Sequence, residues 1–301
     1  MASRLPFVSV IVPALNEERT IRECLVSLLG MDYPPERREI LVVDNGSTDR
    51  TAEIVKSFPV RYLREERRGA SYARNRGIEA SKGEILAFTD ADCMVTTGWL
   101  RELVQGFEDE GVGGVEGETV AYLPVTLAEC YRARMRSFSH IGRTDNPLSP
   151  YANTANVAFR REVFNRIGLF DTRFSPAGGE DVDFSWRFFQ ETELQLRHNP
   201  KAVVFYRCRS TVGDFFSQQM RNGRGLAILQ AKYPARLPWG WRQELRSWSA
   251  VSGFAWIATR AAIRYGFQGD KKMDVYDAYF TFLRKLAVRV GFLRGTLARG
   301  R

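Results

Sequence analysis

The sequence predicts an α/β fold, a mostly parallel mixed sheet flanked by helices, with a helical C-terminal extension. Short apolar strands alternate with amphipathic helices through the first two-thirds of the chain, a pattern typical of strand–helix–strand units. Beyond Arg209 the strands give way to helical patterns. The 301 residues suffice for one large α/β domain with an appendage, so we expect a main domain over 1–210 and a basic helical region over 211–301.

The N-terminal part predicts strands and helices in strict alternation. Residues Phe7 to Pro13 form a β-branched apolar run closed by proline, typical of a buried strand that ends at a loop. Apolar residues from Ile21 to Leu29 then recur at helical spacing. The following predicted elements are a strand at 39–43, a helix from Ser47 or Asp49 to Phe58, a strand at 61–63, a helix at 70–80 and a strand at 85–89.

The second half has a weaker alternation. From Tyr131 to Pro150 the pattern fades, which indicates a long connection. The next predicted elements are a strand at 157–159, helices at 161–167 and 182–191, and a strand at 202–205. Apolar residues from Tyr276 to Val290 then make a stripe that predicts an amphipathic helix.

The positive charge is confined to the last third of the chain. Residues 1–200 carry 25 Lys and Arg against 30 Asp and Glu, whereas residues 201–301 carry 19 against 5, which together give the net charge of +9. Such a segment suits anionic lipid headgroups, a phosphorylated acceptor, nucleic acid or simply solvent. The acidic first two-thirds disfavour nucleic acid as the partner.

Neither the cysteines nor the apolar runs indicate export or a membrane span. The four cysteines are far apart, so we expect no zinc site or disulfide framework. The N-terminal apolar run is too short for a secretory signal, and the uncharged run from Ser247 to Thr259 is shorter than the roughly 20 residues of a spanning helix. We expect a cytoplasmic protein, able to work at the inner face of the membrane.

Acidic and amide side chains follow three of the predicted strands. Asn16, Asp44 and Asp90 each come after a strand, and in sheets of this type ligands bind beyond the carboxyl ends of the strands. Asp90 and Asp92 are one residue apart in a turn and can hold Mg²⁺ or Mn²⁺ together with water and phosphate oxygens. The same triplet also fits an ordinary turn with a helix cap.

Five ordered motifs give the chain a specific resemblance. They are VIVPALNE at Val10–Glu17, VVDNGSTD at Val42–Asp49, GASYARNRG at Gly69–Gly77, the Asp90–Asp92 turn, and GEDVDFSWR at Gly179–Arg187. In this order they resemble inverting family 2 glycosyltransferases with the A-type glycosyltransferase fold. The resemblance spans roughly Val8 to Tyr206, and implies that residues 1–210 are a catalytic domain that binds a nucleotide sugar.

The resemblance assigns roles to individual residues. It implies that Asp90 and Asp92 bind the metal, Mn²⁺ or Mg²⁺, and that Asp181 is the general base that deprotonates the acceptor hydroxyl. Asn156 and Glu180 resemble residues that shape the donor-sugar and acceptor pockets. The implied nucleotide-binding residues are Pro13, Ala14, Asn16, Glu17, Asp44, Gly69, Arg74, Asn75, Asp90 and Ala91. Asp44 would accept a hydrogen bond from the base, typically uracil.

Plainer interpretations of three of these residues stay open. Asp44 also suits a turn, Arg74 a helix surface, and Asp181 an acidic helix N-terminus. The chain departs from the family at Asn45, where a second aspartate is common, and at Tyr206 and Arg207, where many relatives have a histidine that can bind the metal. The two histidines of the chain, His140 and His198, are interpreted as structural.

The sequence therefore predicts a metal-dependent inverting glycosyltransferase that uses a nucleotide diphosphate donor, with UDP expected, and a saccharide or lipid-linked hydroxyl acceptor. Gln218 to Asn222 partly match the signature of processive synthases, but Asn222 replaces its tryptophan, which favours transfer of a single sugar. The alternatives are a polyprenyl-phosphate acceptor and a non-catalytic nucleotide-binding scaffold. The basic C-terminal region suits peripheral membrane contact, packing on the catalytic domain or a second subunit, so the sequence leaves the oligomeric state open.

Overall fold

The computed structural model describes residues 5–135, 148–175, 177–268 and 272–298. Within them, eight strands form one sheet. The strands are β1 Val8–Ala14, β2 Arg38–Asp44, β3 Arg61–Arg64, β4 Ile85–Thr89, β5 Cys93–Val95, β6 Val112–Ala121, β7 Asn156–Arg160 and β8 Gln195–Tyr206. The helices are α1 Ile21–Leu29, α2 Thr51–Lys56, α3 Ala70–Ala80, α4 Trp99–Gln105, α5 Leu127–Arg134, α6 Arg161–Ile167, α7 Glu180–Glu191, α8 Val212–Lys232, α9 Trp241–Gln268 and α10 Lys272–Leu297.

The strand order is β3-β2-β1-β4-β7-β6-β8-β5. Strands β1 to β4 are mutually parallel, whereas β7 is antiparallel to β4 and β6, and β5 is antiparallel to β8. The predicted fold class, a mostly parallel mixed sheet flanked by helices with a helical C-terminal part, is confirmed. The predicted connection at 131–150 contains the end of α5, and residues 136–147, with His140, lie outside the described residues.

The glycines of β6 explain why sequence patterns do not indicate this strand. A Cβ at Gly114 would lie 2.6 Å from Leu196, and one at Gly117 would lie 2.1 Å from the Ala202 carbonyl oxygen. Neighbouring groups thus occupy the space where side chains would stand. Glycine weakens the local strand signal but permits this close approach.

Replacing Gly117 by Ala is expected to destabilise the sheet by roughly 1–3 kcal/mol, because the added methyl group would overlap a carbonyl and the amide of Asn156. Thermal unfolding measures the loss. The matched control is Gly98→Ala, since a Cβ at Gly98 meets no described atom within 4 Å and its φ is −84°. Equal melting temperatures for the two variants would contradict the prediction.

A phenylalanine cluster fixes α7 against the sheet. Phe159 on β7 contacts Phe184 with ring centroids 5.1 Å apart, and Phe164 stacks on Phe184 at 4.8 Å. Phe188, one turn further along α7, is fully buried in the same cluster. Burial of these rings holds the first turn of α7 in one position, and this turn carries Glu180 and Asp181.

Contacts divide the chain into two compact units. The first comprises Met1–Tyr122, Ser137–Pro176 and Glu180–Arg207, and the second comprises Leu123–Arg136, Ala177–Gly179 and Cys208–Arg301. The second unit therefore includes two short segments from within the predicted catalytic domain. The boundary at 210 remains a prediction.

In the second unit, α8 and α10 cross closely through glycines. A Cβ at Gly223 would lie 2.1 Å from the Val288 carbonyl oxygen, and one at Gly291 would lie 2.1 Å from that of Met220. Phe215 and Phe280 pack with Tyr131 of α5 in a separate core. Among the described helices none combines the length and the apolar character needed to cross a bilayer.

Candidate active site

The carboxyl ends of β1, β2 and β4 meet at one edge of the sheet. The strands are parallel, with Ala14 opposite Asp44 and Ile11 opposite Phe88 in register. Asn16, Asp44 and Asp90 therefore follow their strands at the same edge, in agreement with the expectation from their order in the sequence.

Asp44 and Asn16 shape the loop that follows β2. Asp44 is 1% exposed, and its two oxygens accept hydrogen bonds from the Ser47 N–H at 2.9 Å and the Tyr62 hydroxyl at 2.8 Å. Burial, followed by the hydrogen bond to Asp44, raises the pKa of Tyr62 to about 12, so its hydroxyl stays protonated as a donor. Asn16 has a positive φ of 56°, and its side-chain oxygen accepts from the Thr48 N–H at 2.8 Å. Asp44 keeps a carboxylate lone pair for a further donor.

Asn45 organises the segment before α3. Its Nδ2 donates to the carbonyls of Glu65 at 3.2 Å and Arg67 at 2.8 Å, and its Oδ1 accepts from the Gly69 N–H at 2.6 Å. Gly69 itself has φ 133°, and a Cβ there would lie 2.1 Å from that of Ser175. These contacts explain why position 45 carries asparagine and not aspartate, because a carboxylate could not donate to two carbonyls.

Replacing Asn45 by Asp is expected to cost about 1–3 kcal/mol of stability, because two hydrogen bonds are lost and a carboxylate would face two carbonyl oxygens. The KM for the donor should rise as the segment before α3 loosens. The control is Asn165→Asp, an exposed position on α6. Thermal unfolding and donor saturation curves measure the two effects. An Asn45→Asp protein with the same melting temperature as the control would contradict the structural role of the Asn45 amide.

The Asp90–Asp92 turn joins β4 to β5. The Asp90 side chain is 29% exposed, whereas Asp92 is 7% exposed. Burial raises the pKa of the Cys24 and Cys93 thiols, and the carboxylates of Asp92 and Asp90 raise both further. The two thiols therefore stay neutral, and the negative charge of this turn belongs to the aspartates.

Arg74 connects this turn to the start of α7. The guanidinium is 5% exposed; its Nη2 donates to Asp90 Oδ1 at 2.8 Å and its Nη1 donates to Glu180 Oε1 at 2.6 Å. Burial alone would lower the pKa of Arg74, but Asp90 and Glu180 outweigh it and the net shift is upward. One buried cation thus brings together residues that are 90 positions apart in the chain. Its Nε is buried and has no hydrogen-bond partner in the described part of the chain.

The pKa of Asp181 lies well above the ordinary value of an aspartate. Its pKa is raised from an ordinary value of 3.8 to about 7, first by burial and then by the neighbouring charge of Glu180. The Val182 N–H, 2.8 Å from Oδ1, and Arg74 offset part of this shift. A carboxylate with a pKa near neutral pH is suited to general base catalysis.

The donor set fits a divalent cation that shares its coordination sphere with a substrate. Asp90 and Glu180 pair with Arg74, Asp181 acts on the same guanidinium electrostatically, and Asp92 lies two residues after Asp90 in the turn. No cluster of three or more His, Cys, Asp or Glu side chains suited to a metal is found in the described ranges. Mg²⁺ and Mn²⁺ accept such a pair of carboxylates when water and phosphate oxygens complete the sphere.

The Arg207 side chain, just after β8, lies beside the Asp90–Asp92 turn but is not suited to bind a metal ion. The Arg207 N–H donates to the Asp92 carbonyl at 3.0 Å, and its guanidinium pairs with Glu23. A guanidinium carries only donors, so it cannot bind a cation. His198 lies elsewhere, with Nε2 3.2 Å from Glu118.

Two of the predicted site residues have mainly structural contacts. Asn156 is 0% exposed; it accepts from Trp99 Nε1 at 2.7 Å and donates to the carbonyls of Glu118 and Ala202 at 2.9 Å. Its amide is therefore held by three described partners in the core, and its role in the sugar pocket stays a prediction. Asn75 forms two hydrogen bonds with the backbone of Phe170, at 2.8 and 3.0 Å.

The remaining predicted residues lie along the loops described above. Ala14 and Ala91 are buried, and Pro13 is partly buried at the end of β1. The Glu17 N–H donates to the Thr51 hydroxyl at 2.8 Å, which ties the loop after β1 to the start of α2. The sequence analysis did not identify Tyr62 as a partner of Asp44, and it did not identify the structural role of Asn45. The position of Tyr62 on a strand predicted to follow β2 was the one sequence feature that could have indicated its contact with Asp44.

Comparison with known protein families and sequences identifies relatives of this chain. Residues 9–168 match the family model of glycosyl transferase family 2. Glycosyltransferase AglE of Haloferax volcanii is 34% identical over 235 residues, covering 75% of this chain and 74% of the relative. A dolichyl N-acetyl-alpha-D-glucosaminyl phosphate 3-beta-D-2,3-diacetamido-2,3-dideoxy-beta-D-glucuronosyltransferase of Methanococcus voltae is 25% identical over 249 residues, covering 77% of each chain.

Solved structures share the fold. The mannosyltransferase PcManGT of Pyrobaculum calidifontis, in complex with GDP-Man and Mn²⁺, superposes with a TM-score of 0.64 at 23% identity, over 97% of this chain and 88% of the other. Residues 1–349 of S. aureus TarS, in complex with UDP, superpose with a TM-score of 0.56 at 17% identity, over 98% and 92% of the two chains. The helical C-terminal part falls within both superpositions.

Proposed function

The chain belongs to glycosyl transferase family 2, whose members transfer a sugar from a nucleotide-sugar donor, and from this premise we propose a metal-dependent inverting enzyme that transfers one sugar to a hydroxyl group. The observation that carries the proposal is the Arg74 bridge, which sets the Asp90–Asp92 turn and the base candidate Asp181 in one cluster. Metal-binding and proton-accepting groups must lie close together if one enzyme is to act on a leaving group and a nucleophile at once.

Each carboxylate has a separate task in this proposal. Asp90 and Asp92 would hold Mn²⁺ or Mg²⁺, and the ion would stabilise the charge that grows on the leaving nucleotide. Asp181 takes the proton of the acceptor hydroxyl as the oxygen attacks the anomeric carbon from the face opposite the nucleotide. The attack from that face inverts the configuration. Glu180 and Arg74 position Asp181 and set its pKa.

The donor is proposed to be a UDP sugar. Asp44 would accept from the imide N–H of the base, since a carboxylate is an acceptor and lies at the sheet edge beside the Asn16 loop. The buried Nε of Arg74 and the backbone at Gly69 are the groups proposed to face the diphosphate. Because one structural relative was solved with GDP-Man, GDP-mannose is the alternative donor with which the UDP sugars are to be compared.

A lipid-linked saccharide is the proposed acceptor class, with the C-terminal helices at the membrane surface. On α9, Leu245, Trp256 and Ile263 are separated by 11 and 7 residues, which places them on one face, and they are 61%, 67% and 54% exposed. Exposed aromatic and aliphatic residues on a basic helix suit an anionic interface. The relative from Methanococcus voltae, whose name begins with a dolichyl-linked sugar phosphate, supports the same class.

The test is transfer by the purified protein with a panel of UDP and GDP sugars, Mn²⁺, and lipid-linked saccharide acceptors. We expect release of nucleoside diphosphate that requires both metal and acceptor, and a product of inverted anomeric configuration by NMR. Donor binding with no release of nucleoside diphosphate under any condition would identify a binding scaffold instead. A retained anomeric configuration would overturn the assigned roles.

A further inference from the structure

A cavity of about 220 Å³ lies between α8, α9 and α10 in the second unit. Its apolar wall includes Leu226, Trp239 and Phe292, and three cationic side chains, Arg284, Lys285 and Arg289, also line it. An apolar cavity of on the order of 150 Å³ holds a molecule of the size of benzene, so this one has room for a small ligand group.

Arg289 is the most deeply buried of the three cations. It is 2% exposed, and the rings of Trp239, Trp248 and Phe292 lie 5.1–5.6 Å from its guanidinium carbon. Its Nη2 pairs with Glu244, but its Nε and Nη1 have no hydrogen-bond partner among the residues that the structure describes. Buried donors without acceptors are costly, and an oxyanion in the cavity would satisfy them.

Arg284 and Lys285 add two more positive charges to the cavity wall and so favour an anionic ligand. The Nε of Arg284 is buried and likewise lacks a partner within the described ranges. Burial, and then the neighbouring charge of Arg284, lower the pKa of Lys285. The only carboxylate joined to the cluster by a described contact is Glu244, which also accepts from the indole N–H groups of Trp239 and Trp248 at 3.1 Å. Three cations against one shared carboxylate leave two positive charges unbalanced.

We propose that this cavity binds the phosphomonoester headgroup of a lipid. The phosphate oxygens accept from Arg284, Lys285 and Arg289, and the adjoining acyl chain lies on the apolar wall. A phosphate dianion matches the excess of two charges, and the exposed apolar stripe on α9 supplies the means to reach a bilayer. The inference deepens the proposed membrane contact and rests on it for the source of the phosphate, but it does not depend on sugar transfer.

The test measures binding of the full-length protein to phosphatidylcholine vesicles with and without phosphatidic acid, by co-sedimentation at high salt. High salt screens exposed charges more than buried ones. Arg284→Gln and Lys285→Met are the test variants because both side chains are only partly buried. Circular dichroism of each variant checks that it folds as the wild type does. Arg166→Gln, an exposed position on α6 and outside the proposed membrane contact, is the matched control.

We expect each test variant to lose about tenfold in affinity for phosphatidic acid vesicles, the loss typical of a removed charge-assisted hydrogen bond, and the control to change by less than about twofold. Affinity for pure phosphatidylcholine should be weak and equal in all proteins. Equal binding of test and control variants to phosphatidic acid would overturn the proposal. Stabilisation of the wild type by inorganic phosphate, without vesicle binding, would overturn the lipid headgroup in favour of a soluble phosphate.

Discussion

Replacing Asp181 by Asn is expected to lower kcat by about 100-fold or more while donor binding is retained, because the variant cannot accept the hydroxyl proton. In the wild type, the acidic limb of kcat/KM against pH should have its midpoint near 7, since the raised pKa of Asp181 sets the fraction of active base. Glu180→Gln should move this limb to lower pH, because the charge that raises the pKa of Asp181 is removed. Steady-state kinetics across pH measure all three effects.

The same substitution should stabilise the protein above neutral pH. Because the pKa of Asp181 is about 7 when folded and about 3.8 otherwise, the folded state binds more protons between these values, and stability falls as pH rises through that window. Asn carries no charge to bury, so at pH 8 without metal the Tm of Asp181→Asn should exceed that of the wild type, by roughly 2–4 °C for each kcal/mol relieved. Below pH 4 the difference should vanish.

Glu191→Gln, an exposed acid on the same helix, is the control and should change neither kcat nor Tm. Full turnover by Asp181→Asn would contradict its role as base and would favour an acceptor that is already anionic, such as a polyprenyl phosphate. A lower Tm at pH 8 would contradict the account of its pKa.

Replacing Arg74 by Met is expected to damage both folding and catalysis. The substitution leaves Glu180 and Asp90 without their common partner, and breaking a buried ion pair costs about 3–5 kcal/mol. Loss of the cation also removes an influence that lowers the pKa of Asp181, so the acidic limb of activity should move to higher pH. Chemical denaturation and pH profiles measure the two effects.

The matched control is Arg76→Met, which is exposed on the same helix two residues further on. It should keep the stability and the pH profile of the wild type. An Arg74→Met protein with reduced stability and an unmoved pH limb would show that Arg74 supports the fold only, and that Asp181 does not titrate beside it.

The sequence predicted the elements whose signals are local. The helices at 70–80 and 161–167 and the strand at 85–89 have the predicted bounds, because apolar periodicity and flanking turn residues define them. Strand β6 was missed because Gly113, Gly114 and Gly117 carry no strand propensity, and their value lies in contacts with distant residues. The sequence also could not predict that β7 is antiparallel to its neighbours, since strand direction depends on which distant strands pair with it.

The candidate site divides in the same way. Asn16, Asp44 and Asp90 were placed at one edge because each follows a parallel strand. The bridge from Arg74 to Glu180 depends on tertiary packing across more than 100 residues and leaves no local pattern. The saturated amide of Asn156 also could not be foreseen, since its partners come from three other segments.

The most direct test is a titration of the protein with Mn²⁺ in the presence of UDP, followed by electron paramagnetic resonance of the free ion, for the wild type and for Asp92→Asn. We expect one bound ion per chain, with an affinity at least about tenfold lower in the variant, as loss of a carboxylate ligand implies. Asp32→Asn, an exposed acid, should bind as the wild type does. Equal Mn²⁺ binding by wild type and Asp92→Asn would contradict a metal centre at the Asp90–Asp92 turn.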